Sequence, residues 1–285
     1  MSLSSSSGFV RLEYRNVTMR FADRGRRRGR RANGLLTAVR EVSFCVRDGE
    51  VVCLIGPSGC GKSTLLNIGS GLAAPSEGTA LVDGTPVEGP NAHVAIMLQK
   101  DLLLPWRNVA ENVMFGVEIA GLPLPERRER ARKLLEKFNL AEFSAHYPHQ
   151  LSGGMRQRVA LARTLAVDPH VLLLDEPFSA LDAQTRIVLQ RDLARTLREA
   201  QKTALLITHD LLEAVTLSDR VLVMSRRPGT IVDEIVIDMA QRDDPIARRA
   251  DAKVNDYVAR LMDRLDIAHA SLDASLEREP AGGGA

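Results

Sequence analysis

Residues 9–21 read as a strand, and from Thr37 the chain alternates, with Val39, Val42, Phe44 and Val46 on one side, as in a half-buried strand. Asp48-Gly49 supplies a turn. The uninterrupted apolar run 51–55 then has the character of a strand covered on both faces. The middle of the chain changes period. Residues 108–120 and 126–138 carry helical spacing, and Pro123 and Pro125 divide them. The second of these helices surrounds Leu134 and Leu135 with Arg127, Arg128, Glu129, Arg130, Arg132 and Lys133, a solvated face. After Leu151 helices alternate with the short apolar runs 171–174, 205–208 and 221–224. That alternation predicts a largely parallel sheet with helices on both faces, into which the helix-rich segment of about 100–155 is inserted as a lobe. Beyond Asp244-Pro245 a charged amphipathic helix follows, then the frayed tail EPAGGGA at 279–285. No internal repeat is visible.

Composition narrows the class. At 285 residues with 45% apolar and 26% charged positions, the chain has an ordinary globular make-up and is not disordered throughout. Lys and Arg (38) nearly balance Asp and Glu (36), leaving +2, too little for a protein that coats nucleic acid. No apolar run approaches the ~18–20 residues of a membrane span. Residues 1–8 are serine-rich and lack the layout of a secretory signal. Cys45, Cys53 and Cys60 form an odd set without metal-type spacing, which fits a reduced, cytosolic compartment. Arg24, Arg26, Arg27, Arg28, Arg30 and Arg31, interleaved with glycines, form either a solvated hairpin or loop or a segment attracted to anionic headgroups or RNA.

The chemistry begins at Gly56-Pro57-Ser58-Gly59-Cys60-Gly61-Lys62-Ser63, which matches G-x-x-x-x-G-K-[ST] between a buried strand and an apolar helix. Glycines let backbone N–H groups turn inward around an anion, and the helix start adds partial positive charge. Lys62 supplies a point charge for the β- and γ-phosphates, Ser63 a hydroxyl for Mg²⁺, and Thr64 continues the phosphate-facing turn. Cys60 is a spacer in this pattern, either a structural thiol or a functional one. A second element, VLLLDE at 171–176, delivers two carboxylates at the C-terminal end of a buried strand, where open α/β sheets bind ligands. Asp175 is placed for the metal's water shell, and Glu176 is the candidate general base. Together the two elements point to hydrolysis of a nucleoside triphosphate.

Between them, Leu151-Ser152-Gly153-Gly154-Met155-Arg156-Gln157-Arg158 opens a helix. Ser152 with Gly153 and Gly154 at that start is a second anion-binding element, one that a single subunit does not need for its own nucleotide. The segment resembles the signature motif of ABC transporter ATPases, and the flanking motifs stand in that family's order. Met155 departs from the more frequent glutamine there. The resemblance covers roughly residues 10–238. It implies a P-loop NTPase (RecA-like) α/β core with an N-terminal antiparallel β subdomain and an inserted α-helical subdomain. An ATPase domain is expected over 1–240, with a C-terminal helix and tail over 241–285.

Further roles rest on the same resemblance. Gln99, after the strand 93–98, is similar to the glutamine that touches Mg²⁺ and water and senses the membrane partner. Residues 179–182 are similar to the D-loop, and His209 to the switch histidine that contacts γ-phosphate. Phe21, or more weakly Tyr14, stands for the aromatic that stacks on adenine. The resemblance further implies catalytic roles for Glu176, His209 and Gln99, and metal contacts for Ser63, Gln99 and Asp175. Its expected ligands are ATP and Mg²⁺. Its expected partners are a second copy that lends Ser152 and Gly154 across an ATP sandwich, transmembrane permease subunits and, indirectly, a periplasmic solute-binding protein; no nucleic acid is expected. The location is then the cytoplasmic face of the inner membrane. Leu103-Leu104-Pro105-Trp106-Arg107-Asn108-Val109, Tyr147-Pro148-His149-Gln150 and Ser225-Arg226-Arg227-Pro228-Gly229 resemble the nitrate, sulfonate and taurine importer subgroup. Trp106 is either a core residue or part of the surface that receives the permease. Rival readings explain less: a ribosomal ABC ATPase carries two cassettes, a DNA-repair type needs a long coiled coil, and other P-loop classes or an inactive scaffold leave the signature or Glu176 unexplained. The transported solute is not legible.

Overall fold

The computed structural model describes residues 8–22, 26–27, 30–31 and 35–276. Strand β1 (Val10–Ala22) leads through two two-residue strands, β2 (Arg26–Arg27) and β3 (Arg30–Arg31), to β4 (Leu35–Arg47). β2 and β3 pair antiparallel, so the hairpin reading agrees for these four arginines. Arg24, Arg28, the serine-rich start and the tail at 279–285 lie outside the described residues. β1 and β4 pair antiparallel along their length. Their buried side chains, Leu12, Tyr14 and Val17 against Val39, Val42, Phe44 and Val46, form one face of an antiparallel sheet.

That sheet has two strands the hydrophobic pattern does not announce. β6 (Glu77–Val82) pairs with the free edge of β1, and the short β7 (Thr85–Pro86) follows it, giving the order β4-β1-β6-β7. β6 opens with exposed Glu77 and Gly78, and only its last three residues are buried, too short a run to stand out.

The second sheet is the core. Its order is β12-β11-β5-β10-β9-β8, built from β5 (Val51–Ile55), β8 (Val94–Met97), β9 (Val171–Asp175), β10 (Thr203–Ile207), β11 (Arg220–Met224) and β12 (Ile231–Val236). All neighbours are parallel except β12, which runs against β11. Successive side chains of a strand point to opposite faces, and here the two faces build two separate cores. Val52, Leu54, Leu173, Leu205 and Leu222 pack with α1 (Lys62–Gly69) and the antiparallel sheet. Cys53, Ile55, Leu172, Leu174, Leu206 and Val223 pack with the helices of the other face. Each fully buried leucine contributes about 2 kcal/mol of transfer free energy, which is why the central stretches of these strands are apolar and the polar residues of β9, β10 and β11 stand at their ends.

The expected helical lobe is present. α2 (Val109–Ile119) is capped by Asn108, whose side chain accepts from the Glu111 N–H while the Glu111 carboxylate accepts from the Asn108 N–H. α3 (Leu124–Lys137) follows, and both lean on α4 (Gly153–Ala166) through Val113, Val117, Ala131, Leu135 and Val159. On the outer face of α3, Arg132 pairs with Glu129 and Glu136, an exposed network of small energetic consequence.

α5 (Ala183–Glu199) and α6 (Leu211–Leu217) complete the far face, and the C-terminal region packs onto it. The single helix expected after Asp244-Pro245 is two, α7 (Pro245–Arg249) and α8 (Lys253–Leu276). Arg248 of α7 is buried, and its guanidinium donates to the carbonyls of Thr216, Ser218, Met239 and Ala240. No described helix is long and apolar enough to cross a membrane.

Candidate nucleotide site

The loop between β5 and α1 is arranged to receive an anion. Helices α2, α4, α5 and α6 each have a side-chain cap, from Asn108, Ser152, Asp182 and Asp210. α1 has none: its N-cap is Gly61, with φ 108°, and its first turn holds no acid. The amides at that end are left to a ligand. Only glycine fits at 61, because a Cβ there would collide with the Val39 side chain. Lys62 lies across the loop, its Nζ donating to the carbonyls of Gly56 at 2.7 Å and Pro57 at 2.9 Å. A phosphate entering the loop offers this ammonium a charged partner in place of two neutral ones.

The acidic side of the cleft comes from the ends of β9 and β10. Asp175 is 8% exposed, with the Ser63 hydroxyl beside it acting to lower its pKa; burial outweighs this and pushes its carboxyl above the usual carboxylate range. A buried carboxylate beside a hydroxyl is an oxygen donor set suited to a hard dication such as Mg²⁺, and such an ion would offset the cost of ionising Asp175. Glu176 follows in the left-handed region, φ 47°, a conformation that costs a non-glycine residue about 1 kcal/mol. Its N–H is fixed to the Ile207 carbonyl at 3.0 Å. The Gln99 amide donates to Glu176 Oε2 at 2.9 Å, and His209 Nδ1 lies 3.4 Å from the same oxygen. Gly56, Ser58, Gly59, Gly61, Lys62, Ser63, Thr64, Gln99, Asp175, Glu176 and His209 thus line one cleft of about 420 Å³.

Not every expected residue belongs to it. Pro57 and Cys60 shape the loop rather than line the cleft; Cys60 is buried, and burial raises its thiol pKa, so the structural alternative holds. Tyr14 is corrected: it is 1% exposed, stacks on Phe44 and donates to the Leu65 carbonyl, so it is a core residue with no face for a base. Phe21 is 43% exposed and outside the cleft lining. It pairs with Leu36 on the same hairpin whose Val39 touches Gly61. Ser152, Gly153 and Gly154 also lie outside this cleft. The Ser152 hydroxyl accepts from the Met155 N–H at 3.2 Å, and Gly154 packs against Leu181 and Thr185 where the D-loop runs into α5. Trp106 is 71% exposed, which removes the core reading.

Three supports were not anticipated. The Arg227 guanidinium lines the cleft and grips the Gly59 carbonyl at 2.9 and 3.2 Å. Gly229 packs so closely on the Cys60 carbonyl that any Cβ would overlap it. Glu213, buried in α6, accepts from the Thr208 hydroxyl at 2.6 Å and the Gln190 amide at 2.8 Å, fixing the residue next to His209. Arg227 and Gly229 act from far along the chain but stand inside a quoted motif, whereas Glu213, five residues from Thr208, reads as an ordinary helix-surface acid until the structure shows it buried.

Comparisons with known proteins agree with this geometry. The family model described as ABC transporter matches residues 39–179. An uncharacterised ABC transporter ATP-binding protein of Methanocaldococcus jannaschii is 46% identical over 230 residues, 81% of this chain and 83% of its own. The taurine import ATP-binding protein TauB of Yersinia pestis is 48% identical over 205 residues, 72% of this chain and 80% of its own. Among solved structures, an ATP-binding cassette in a dimeric post-hydrolysis state, bound to ADP and Pi, superposes with a TM-score of 0.70 at 30% identity, covering 80% of this chain and 99% of that one. The chain belongs to the ABC transporter family, as one of its ATP-binding, ATP-hydrolysing subunits.

Proposed function

We propose that this subunit energises an importer of a small anionic solute of the taurine, sulfonate or nitrate type, working as a head-to-tail dimer under transmembrane permease subunits. The observation that carries the catalytic part is the convergence of Gln99 and His209 on one oxygen of Glu176, beside an uncapped phosphate-binding helix.

In this reading the α1 amides and Lys62 hold the β- and γ-phosphates of ATP, and Phe21 stacks on the adenine. Ser63, Asp175 and Gln99 would hold Mg²⁺, which when bound neutralises charge on the phosphates. Glu176 accepts the proton of the attacking water, with its carboxylate oriented by the Gln99 amide. His209 sits at the rim, on a switch segment steadied by the Thr208–Glu213 hydrogen bond, where it can reach γ-phosphate.

Ser152 and Gly154 carry no task toward the chain's own cleft. They have the composition of a γ-phosphate site for a partner's nucleotide, and dimerisation supplies one. The ATP-loaded dimer is then closed by charge that hydrolysis removes. Exposed Leu102 and Trp106, in the segment that leads from Gln99 into the helical lobe, offer the permease an apolar contact. A periplasmic solute-binding protein acts through the permease, and the subunit lies peripherally on the cytoplasmic face of the membrane. The relatives named for taurine import support the solute class.

The test is reconstitution in liposomes with candidate permease and solute-binding proteins of the taurine, sulfonate and nitrate types. ATPase activity is expected to rise when taurine, an alkanesulfonate or nitrate is supplied. Activity indifferent to the permease and to every such solute would overturn the importer reading.

A further inference from the structure

Asp83, His93 and His170 take no part in the nucleotide site, yet their side chains meet at one point. His93 Nδ1 and His170 Nδ1 are each 2.8 Å from Asp83 Oδ2 and 3.0 Å from one another. Hydrogen bonding alone satisfies this triangle poorly. If both imidazoles donate to the shared oxygen, two N–H groups crowd the same space. If only one donates, the lone pair of the other nitrogen faces the carboxylate oxygen. A cation at the centre accepts a lone pair from all three. We infer that Asp83, His93 and His170 form a binding site for a borderline transition-metal dication, zinc foremost.

The donor set, two imidazole nitrogens and one carboxylate oxygen, is that of zinc and its neighbours rather than of magnesium or calcium. Bonds of about 2.0–2.1 Å in a tetrahedral arrangement put ligand atoms roughly 3.3 Å apart. An outward movement of a few tenths of an ångström by two half-exposed imidazoles reaches that spacing, and water completes the coordination. The ligands are already oriented from behind. Arg11 Nη1 occupies the other Asp83 oxygen at 2.9 Å, so Oδ2 alone is presented, and Arg11 Nε is anchored on Asp48 at 2.7 Å. The two histidines share one backbone lock, since the His93 carbonyl accepts from the N–H groups of His170 at 2.9 Å and Val171 at 3.0 Å.

The position suggests what the metal does. His93 and His170 precede β8 and β9, whose opposite ends carry Gln99 and Asp175. Asp83 sits in the turn between β6 and β7 of the antiparallel sheet. A bound ion therefore staples the antiparallel sheet to the edge of the core sheet, at the end of the strands away from the nucleotide.

Full-length protein, dialysed against chelator and returned to buffer with MgATP to occupy the oxygen site, is titrated with Co²⁺ as the spectroscopic probe. The expected result is one Co²⁺ per chain, with the visible absorption of an imidazole-ligated ion, displaced by Zn²⁺, and a midpoint of thermal unfolding raised by Zn²⁺. His93→Asn with His170→Asn abolishes the absorption, and Asp83→Asn weakens binding about tenfold or more. Basal ATPase activity of the double variant stays at the parent level, which shows that it folds. Retention of the absorption and stoichiometry by the double variant, or failure of the parent to bind Co²⁺ at micromolar concentration, would overturn the assignment.

Discussion

Ser152 offers a substitution that separates its capping role from the one proposed for it across the dimer. As N-cap of α4 its hydroxyl accepts from the Met155 N–H at 3.2 Å, and the first turn of that helix contains no acid. Ser152→Ala removes the cap and costs about 1 kcal/mol of folding stability. Ser152→Asp keeps a capping oxygen and adds a charge that the helix dipole favours by ~0.3–1 kcal/mol, so the monomer stays as stable as the parent or gains slightly. Across an ATP-bound interface the effect reverses. A carboxylate about 5 Å from one charge of a γ-phosphate, at an effective dielectric constant of roughly 20, is repelled by about 3 kcal/mol. The proposed head-to-tail dimer would contain two such contacts, so association is expected to weaken by about 6 kcal/mol, roughly four orders of magnitude. Sedimentation with ATP in a Glu176→Gln background reads the dimer, and thermal unfolding without nucleotide reads the cap. If the Ser152→Asp protein dimerises with ATP at the parent's concentration, Ser152 does not meet a partner's triphosphate and the sandwich is wrong.

Other substitutions probe the remaining supports. Glu176→Gln is expected to bind ATP normally and to lose about 10²-fold or more in turnover, measured by phosphate release under saturating nucleotide. Gly229→Ala places a methyl group against the Cys60 carbonyl, and the displaced loop should bind a fluorescent ATP analogue about tenfold more weakly, or ~1.4 kcal/mol. Arg248→Met leaves four carbonyls without their shared cation; unfolding should show a loss of about 3–5 kcal/mol, with the nucleotide cleft unchanged when folded. The raised pKa of Asp175 sets a pH dependence. Its contribution to stability is full below its unfolded value, is lost as pH rises through the higher folded value, and is unfavourable once the group is ionised. Asp175→Asn should therefore unfold at a higher temperature than the parent at pH 7 without nucleotide or metal, with the gap closing in acid; hydrolysis is lost in the same variant. An equal gap at both pH values would count against burial as the cause.

How much was legible depended on how local the signal was. β5 and β9 lie within a sheet covered on both faces, so the positions before Asp175 are all apolar and the runs 51–55 and 171–174 stand out. The phosphate loop is a contiguous motif because one backbone turn makes it. β6 and β12 lie toward the margins of their sheets, with exposed positions throughout β12 and at the start of β6, and neither left a clear pattern. Tyr14 shows the opposite failure: an aromatic on a strand reads the same whether it faces a ligand or the core, and only the close approach of Phe44 and Leu65 separates the two.

By itself the sequence determined the elements that one stretch of chain builds alone: the glycine-rich turn with Lys62 and Ser63, the strand delivering Asp175 and Glu176, and the helix opened by Ser152. Tertiary structure decided what depends on distant residues meeting. It brought Gln99 and His209 to a single oxygen of Glu176, set Arg227 and Gly229 behind the phosphate loop, and gathered Asp83, His93 and His170 at one point. Spacing along a chain fixes geometry only within a turn or a strand, and beyond that the sheet order chooses the neighbours.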